Sequence, residues 1–321
     1  MARDRSAVLG TLCALVAASL FGMLGPLARF GAEAGIDGVA FTAWRAYLGV
    51  AFLALLVVVR GGVGTSIAAL RALPRAGRLA LATAGLTGVM LNVAMFTAFG
   101  LVPIALALML FYTYPAGVVV VDLALGRERL SVARLVALAL SFTGVVLVLV
   151  GGLSGAAGAS IAPFGVVLGL VAAGSQVVFV SVSRGGYASV PADAATLVVM
   201  SASLVGATVV GVVAGQGEGL VAPFRSLEPW PVILVAGVLS AGVSSVLFLL
   251  AIRYIGGSRT GILMLFEPVV GVVLAAWLLG EALAPVQALG GGLVLAGALV
   301  LQLRSAPETE PIAETDASPV V

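Results

Sequence analysis

Apolar residues fill this chain in long runs, each ended by a short polar break. At about 20 residues per crossing, the runs predict ten membrane-spanning helices. They lie over roughly 7–24, 38–59, 79–99, 104–125, 132–151, 161–182, 194–214, 231–252, 259–279 and 285–303. Arg3 and Arg5 ahead of the first run look like the start of a secretory leader. Its removal would leave the sixth run without a partner, so it is read as a span.

The runs fall into two copies of one unit. Pro115, Glu128 and Gly144 recur 153 residues later as Pro268, Glu281 and Gly297. In both copies the proline lies within an apolar run, the glutamate in the next break and the glycine in the following run. The predicted units are residues 1–151 and 152–304, followed by an acidic tail, 305–321, expected to be disordered and cytoplasmic. Five crossings per unit is an odd number, so the second unit enters the membrane upside down. The fold class is therefore an all-α polytopic membrane protein built from two inverted-topology five-helix repeats, an arrangement many secondary transporters use.

Arginine placement orients it. With the N-terminus inside, the inner segments hold Arg3, Arg5, Arg60, Arg71, Arg75, Arg78, Arg127, Arg129, Arg134, Arg184, Arg253, Arg259 and Arg304. The outer loops keep Arg29 and Arg225, and Arg45 lies within a span. Both termini are expected in the cytoplasm. The four-arginine segment 60–78 is expected to lie on the anionic inner surface. The Ala, Val, Gly and Arg bias without Lys suits a GC-rich bacterium, which points to the inner membrane.

Composition narrows the chemistry. The chain is 61% hydrophobic and 9% charged, with no His and no Lys. Cys13 is its one cysteine. Zinc sites, Cys/His pairs, Ser/His/Asp triads and disulfides cannot be assembled within the chain, and without Lys there is no P-loop. The reading is not an enzyme, with no cofactor, no metal and no nucleic-acid partner. Gly165 and Gly169, and Gly211 and Gly215, have G-x-x-x-G spacing and are read as helix packing.

Residues 85–150 and 238–303 resemble the repeat unit of the EamA-type branch of the drug/metabolite transporter superfamily. The resemblance rests on a proline within the fourth helix, a glutamate before the fifth and a glycine in the fifth, repeated in both halves. Arg45 matches an arginine common in the second helix, and Phe21-Gly22 stands where the family often has Trp-Gly. Gly280-Glu281 keeps the usual pair, whereas Gly126-Arg127-Glu128 splits it. The likeness covers essentially 7–304. It implies a ten-helix bundle with a central cavity between the halves, exporting small metabolites. Family members handle amino acids, related metabolites and toxic compounds, so the fold does not name the substrate.

A residue present in both copies serves opposite faces, which favours a structural role. Glu128 and Glu281 can cap the following helices, Gly144 and Gly297 belong to the framework, and Pro115 and Pro268 can bend the helix or free carbonyls. Positions that differ between copies are the better functional candidates. Glu267 leads, because its counterpart is Tyr114 and a carboxylate at that depth costs roughly 2.5–3.5 kcal/mol. An apolar setting favours its neutral form and brings proton exchange within reach. Thr260, Met264, Gly271 and Ala275 share its face on a continuous helix.

Asn92, aligned with Ser245, and Gln176, aligned with Phe21, either bind a solute or join helices. Tyr112 and Tyr114 offer aromatic faces, but two residues apart on a helix they cannot both face a cavity. Ser240 and Ser244 either add hydroxyls or permit close packing, and Ser244 is taken as a binding candidate. Arg45, flanked by Trp44 and Tyr47, either snorkels to the outer interface or binds a substrate carboxylate. Asp122 is expected to pair with Arg127, Arg129 or Arg253. These readings describe a secondary exporter of amino acids or other small metabolites, with protons as a coupling ion. The alternative is an uncoupled uniporter or channel-like facilitator.

Overall fold

The computed structural model describes residues 2–36, 38–99, 101–102, 104–127, 131–151, 162–213, 215, 217–280 and 284–303. Glu128, Glu281, Arg129 and the acidic tail lie outside the described residues. Among those described, the regular structure is entirely helical. Among the described residues, nine helical stretches are long and apolar enough to cross a membrane, from Arg5–Glu33 to Gly257–Leu279, and the shorter apolar Pro285–Leu301 makes a tenth span. The ten spans return the first and last described residues to one face, called here the terminal face; the other is the far face.

Three elements depart from the hydropathy pattern. The first span does not stop near residue 24 but continues through Met23 into Leu24–Glu33. The segment 60–78 contains the helix Val63–Ala72, whose Ala69 and Leu70 pack against the apolar cluster that holds Leu73, Leu81, Tyr187 and Val190. It therefore joins the closed terminal face, and the third span already begins at Arg75. A further helix, Gly217–Arg225, caps the far end of the second span. The Trp44 indole donates to the Leu220 carbonyl at 3.0 Å and Trp230 to Pro223 at 2.9 Å.

Helix pairing follows the inverted repeat. The first span packs on the eighth as the sixth packs on the third, and the second span faces the seventh. The fifth and tenth spans cross where both repeat glycines lie. A Cβ on Gly144 would stand 2.5 Å from the carbonyl oxygen of Gly290, and one on Gly297 would stand 2.7 Å from that of Ala137. Ala137 and Gly290 are themselves 153 positions apart, so the same offset relates both contacts. Gly165 packs against Leu101 and Val102, and Gly169 against Leu110, so that pair serves close approach. Gly215 instead sits in open space at φ 74°, which makes it a turn residue and not a packing partner of Gly211.

The fourth and ninth spans are broken at matching points. The fourth runs as Ile104–Phe111 and Tyr114–Ala124, the ninth as Gly257–Met264 and Glu267–Leu279. At the breaks, Thr113 N–H donates to the Leu110 carbonyl at 3.2 Å and Phe266 N–H to Leu263 at 3.1 Å, one residue tighter than an α-helix. Pro115 and Pro268 are the second residues of the later halves, where a missing N–H costs little. They do not bend a continuous helix; they begin a new one. The carbonyls of Phe111 and Met264, four residues before each proline, lose their helical donor.

Candidate functional site

A cavity of about 1070 Å³ lies between the two repeats, at the upper end of what holds a small solute. It opens at the far face, where Gly25, Arg29, Gly151, Leu279 and Gln287 line it near the ends of their spans. Toward the terminal face it ends on Phe179, Tyr187, Thr196 and Leu249. Phe179 stacks on Phe248 at 6.1 Å, and Phe21 meets Phe248 edge-on at 6.4 Å, so its inner part is largely aromatic.

Six of the seven candidate binding residues line this cavity: Glu267, Asn92, Gln176, Tyr112, Tyr114 and Arg45. Both tyrosines reach it, against the expectation for a continuous helix, because the chain breaks at Tyr112–Thr113 between them. Ser244 does not. Its hydroxyl donates to the Ser240 carbonyl at 2.8 Å in full burial, while Ser245 lines the cavity. Ser245 is the repeat counterpart of Asn92, which lines the cavity from the third span, so the 153-residue offset holds here and Ser244 falls one position off that stripe.

Glu267 opens the second half of the ninth span, which places its carboxyl at the broken turn. The Tyr112 hydroxyl, from the matching break in the other repeat, stands beside it, and the Arg45 charge acts on it. Met264, Gly271 and Ala275 share its face of the cavity, whereas Thr260 turns away and donates to the Gly256 carbonyl at 2.7 Å. Arg45 does not snorkel to the interface. Its Nη2 donates to Asn92 Oδ1 at 3.4 Å, and Asn92 Nδ2 donates to the Gly88 carbonyl at 2.8 Å, which fixes the amide. Trp44 forms the aromatic cluster with Phe224 and Trp230 instead. The Gln176 amide faces the cavity without a protein partner among the described residues.

Sequence reasoning missed Thr196 and Ser203, which line the cavity from the seventh span. Their seven-residue spacing, with Met200 between, was a readable helical stripe. It also missed Tyr187, which closes the inner end. Asp122 is buried and accepts the Ser258 hydroxyl at 2.8 Å, with Arg127 and Arg184 each at 3.7 Å. Of the three alternative partners expected for Asp122, Arg127 is the one in place; Arg253 binds backbone carbonyls elsewhere.

The sequence profile of the EamA-like transporter family matches residues 8–150 and again residues 163–303, once on each repeat. The chain belongs to this family. A solved structure described only as "Crystal structure of protein" has a TM-score of 0.71 and 21% identity, covering 92% of this chain and 97% of that one. At that identity the likeness speaks for the fold alone. No curated protein matches the sequence. As an EamA-like transporter the chain is an integral membrane protein that carries small solutes across a bilayer, in a family of transporters and not of enzymes.

Proposed function

We propose that this EamA-like transporter is a secondary exporter of amino acids or similar small zwitterionic metabolites. It works by alternating access, in exchange for protons that Glu267 carries. The observation that carries this reading is the placement of Arg45 and Glu267. They line one cavity from opposite repeats, yet no ion pair joins them. A guanidinium and a carboxylate held apart can each take the opposite charge of one solute: the carboxylate on Arg45, the ammonium on Glu267. The aromatic inner part of the cavity then receives the side chain.

Proton exchange falls to Glu267 because it is the one acid among the described cavity-lining residues. A proton and a substrate ammonium compete for the same carboxylate, which makes exchange a direct consequence of shared binding. The arginine distribution supports cytoplasmic termini in a bacterial inner membrane. With the terminal face inside, the cavity opens outward.

The test is purified protein in liposomes with a pH-sensitive dye inside, a panel of amino acids outside and Glu267→Gln in parallel. Substrate-dependent proton movement in the parent, lost in the variant, is the expected result. Solute flux without proton movement, equal in both proteins, would leave an uncoupled uniporter or facilitator and overturn the coupling.

A further inference from the structure

The terminal face is sealed by two polar contacts that the inverted repeat does not duplicate. In the first, Arg253 near the end of the eighth span reaches the turn between the sixth and seventh spans. Its Nη1 donates to the Val190 carbonyl at 2.9 Å and its Nη2 to the Tyr187 carbonyl at 3.3 Å. The guanidinium also lies 5.7 Å from the centre of the Tyr187 ring. That ring is 1% exposed and closes the inner end of the cavity. Its hydroxyl is shared with Ser183 at 2.5 Å. Burial pushes the Tyr187 hydroxyl above its usual range, against a lowering from Ser183 and Arg253, so the ring stays neutral.

In the second contact, Asp122 of the fourth span holds Ser258 at the start of the ninth, with Arg127 and Arg184 beside it. Arg127 Nη1 also donates to the Ser181 carbonyl at 3.1 Å, which ties the fourth span to the sixth. Gly257 lets the spans close here: a Cβ on it would stand 2.7 Å from Val180 and 3.1 Å from Val118.

The counterparts 153 positions away cannot form such a seal. Arg253 corresponds to Gly100, Asp122 to Ala275, Ser258 to Ala105 and Arg127 to Gly280. Ala275 lines the open cavity. Two halves related by inversion would otherwise close either face with similar ease. A charged seal whose own residues have no polar counterparts in the other repeat breaks that balance.

We propose that Arg253, supported by Asp122, is the latch that holds the terminal face shut and sets far-face-open as the resting state. The inference rests on the alternating-access reading above. The solute must then pass Tyr187, and release of Arg253 from the Tyr187–Val190 turn is the step that admits it. Arg253 has carbonyls and a ring for partners and no carboxylate among the described residues. Its hold is therefore releasable in a way that a buried ion pair is not.

Single-cysteine labelling in sealed vesicles tests this without substrate or protons, so its failure is distinct from a failure of the transport reading. Cys13→Ala removes the one native thiol. Gly25→Cys reports the cavity mouth, Thr196→Cys reports its floor, and a C-terminal tag cut by added protease identifies vesicles that expose the terminal face. A membrane-impermeant maleimide is expected to label Gly25→Cys from the far face and to spare Thr196→Cys from the terminal face. Adding Arg253→Ala is expected to raise terminal-face labelling of Thr196→Cys about 100-fold or more, as loss of two charge-assisted hydrogen bonds implies. Arg253→Lys should give a smaller rise, since one ammonium cannot span both carbonyls.

Retained far-face labelling of Gly25→Cys shows that the variant is folded. Unchanged labelling of Thr196→Cys in folded Arg253→Ala would overturn the latch. Should Arg253→Ala fail to fold, Asp122→Asn is read the same way, and an unchanged floor there also overturns it. Labelling of Gly25→Cys from the terminal face in the parent would overturn the resting orientation.

Discussion

Gly22 of the first span presses directly on the backbone of Glu267: a Cβ at Gly22 would stand 2.7 Å from the Glu267 carbonyl oxygen. A backbone carbonyl cannot swing aside as a side-chain tip can, so Gly22→Ala must displace the turn that aims the carboxyl. Gly25, three residues on and also lining the cavity, has nothing within 4 Å of its Cβ direction. Gly22→Ala is expected to lower the initial transport rate by about 10- to 100-fold, while Gly25→Ala leaves it unchanged. Rates per folded protein in proteoliposomes decide this, and equal rates in the two variants would mean that the fit at Glu267 does not matter.

The crossing of the fifth and tenth spans makes a stability prediction. An added methyl at Gly144 meets the Gly290 carbonyl oxygen at 2.5 Å and the Val294 nitrogen at 2.8 Å, both backbone atoms. Overpacking of this kind costs about 1–3 kcal/mol. Gly292→Ala, on the same tenth span but with nothing within 4 Å, gains about 1 kcal/mol of helix propensity instead. Thermal unfolding in detergent should therefore fall for Gly144→Ala and hold or rise for Gly292→Ala. A Gly144→Ala protein as stable as the parent would show that the crossing can relax.

Arg45 should set affinity for the solute's carboxylate. A charge-assisted hydrogen bond contributes about 1.5–3 kcal/mol, so Arg45→Gln should raise KM about 10- to 100-fold. Asn92, which holds the guanidinium at 3.4 Å, acts through it, and Asn92→Ala should raise KM only a few-fold. An amide or ester analogue of the transported amino acid lacks the carboxylate and should be indifferent to Arg45→Gln. If that analogue loses as much affinity as the parent solute, Arg45 shapes the cavity and does not bind the carboxylate.

Much of the fold could be read because the bilayer leaves few choices. Ten apolar runs have to be helices, and the recurrence of Pro115, Glu128 and Gly144 exposed the repeat. The cavity residues were partly legible for the same reason: Glu267, Arg45, Asn92 and Gln176 are too polar for lipid, so they face inward. What could not be read was local phase. Two residues of a regular helix fix the direction of every other, and that inference failed wherever the helix was irregular. The break at Tyr112–Thr113 brought both tyrosines to the cavity. The role of Arg253 was not legible for another reason: its partners are the carbonyls of Tyr187 and Val190, and every residue has a carbonyl.

The two breaks make the sharpest prediction, because they match in backbone and differ in side chain. Pro268→Ala restores an N–H four residues after Met264, able to close the helix across the break that now places Glu267 at a half-helix start. The new hydrogen bond stabilises by about 0.5–1.5 kcal/mol, and loss of the proline's restraint on the unfolded chain costs about 0.4–1 kcal/mol. These nearly cancel, so Tm should move by no more than about 4 °C. Turnover should nonetheless fall about tenfold or more, since a continuous helix would re-aim the carboxyl. Pro115→Ala makes the same backbone change beside Tyr114, where there is no charge to misplace, and should cost much less. Turnover and Tm measured for both variants separate the two roles a proline break can have. Equal losses would mean that both breaks serve as hinges for the conformational change. A loss confined to Pro268→Ala would mean that the ninth-span break exists to present Glu267.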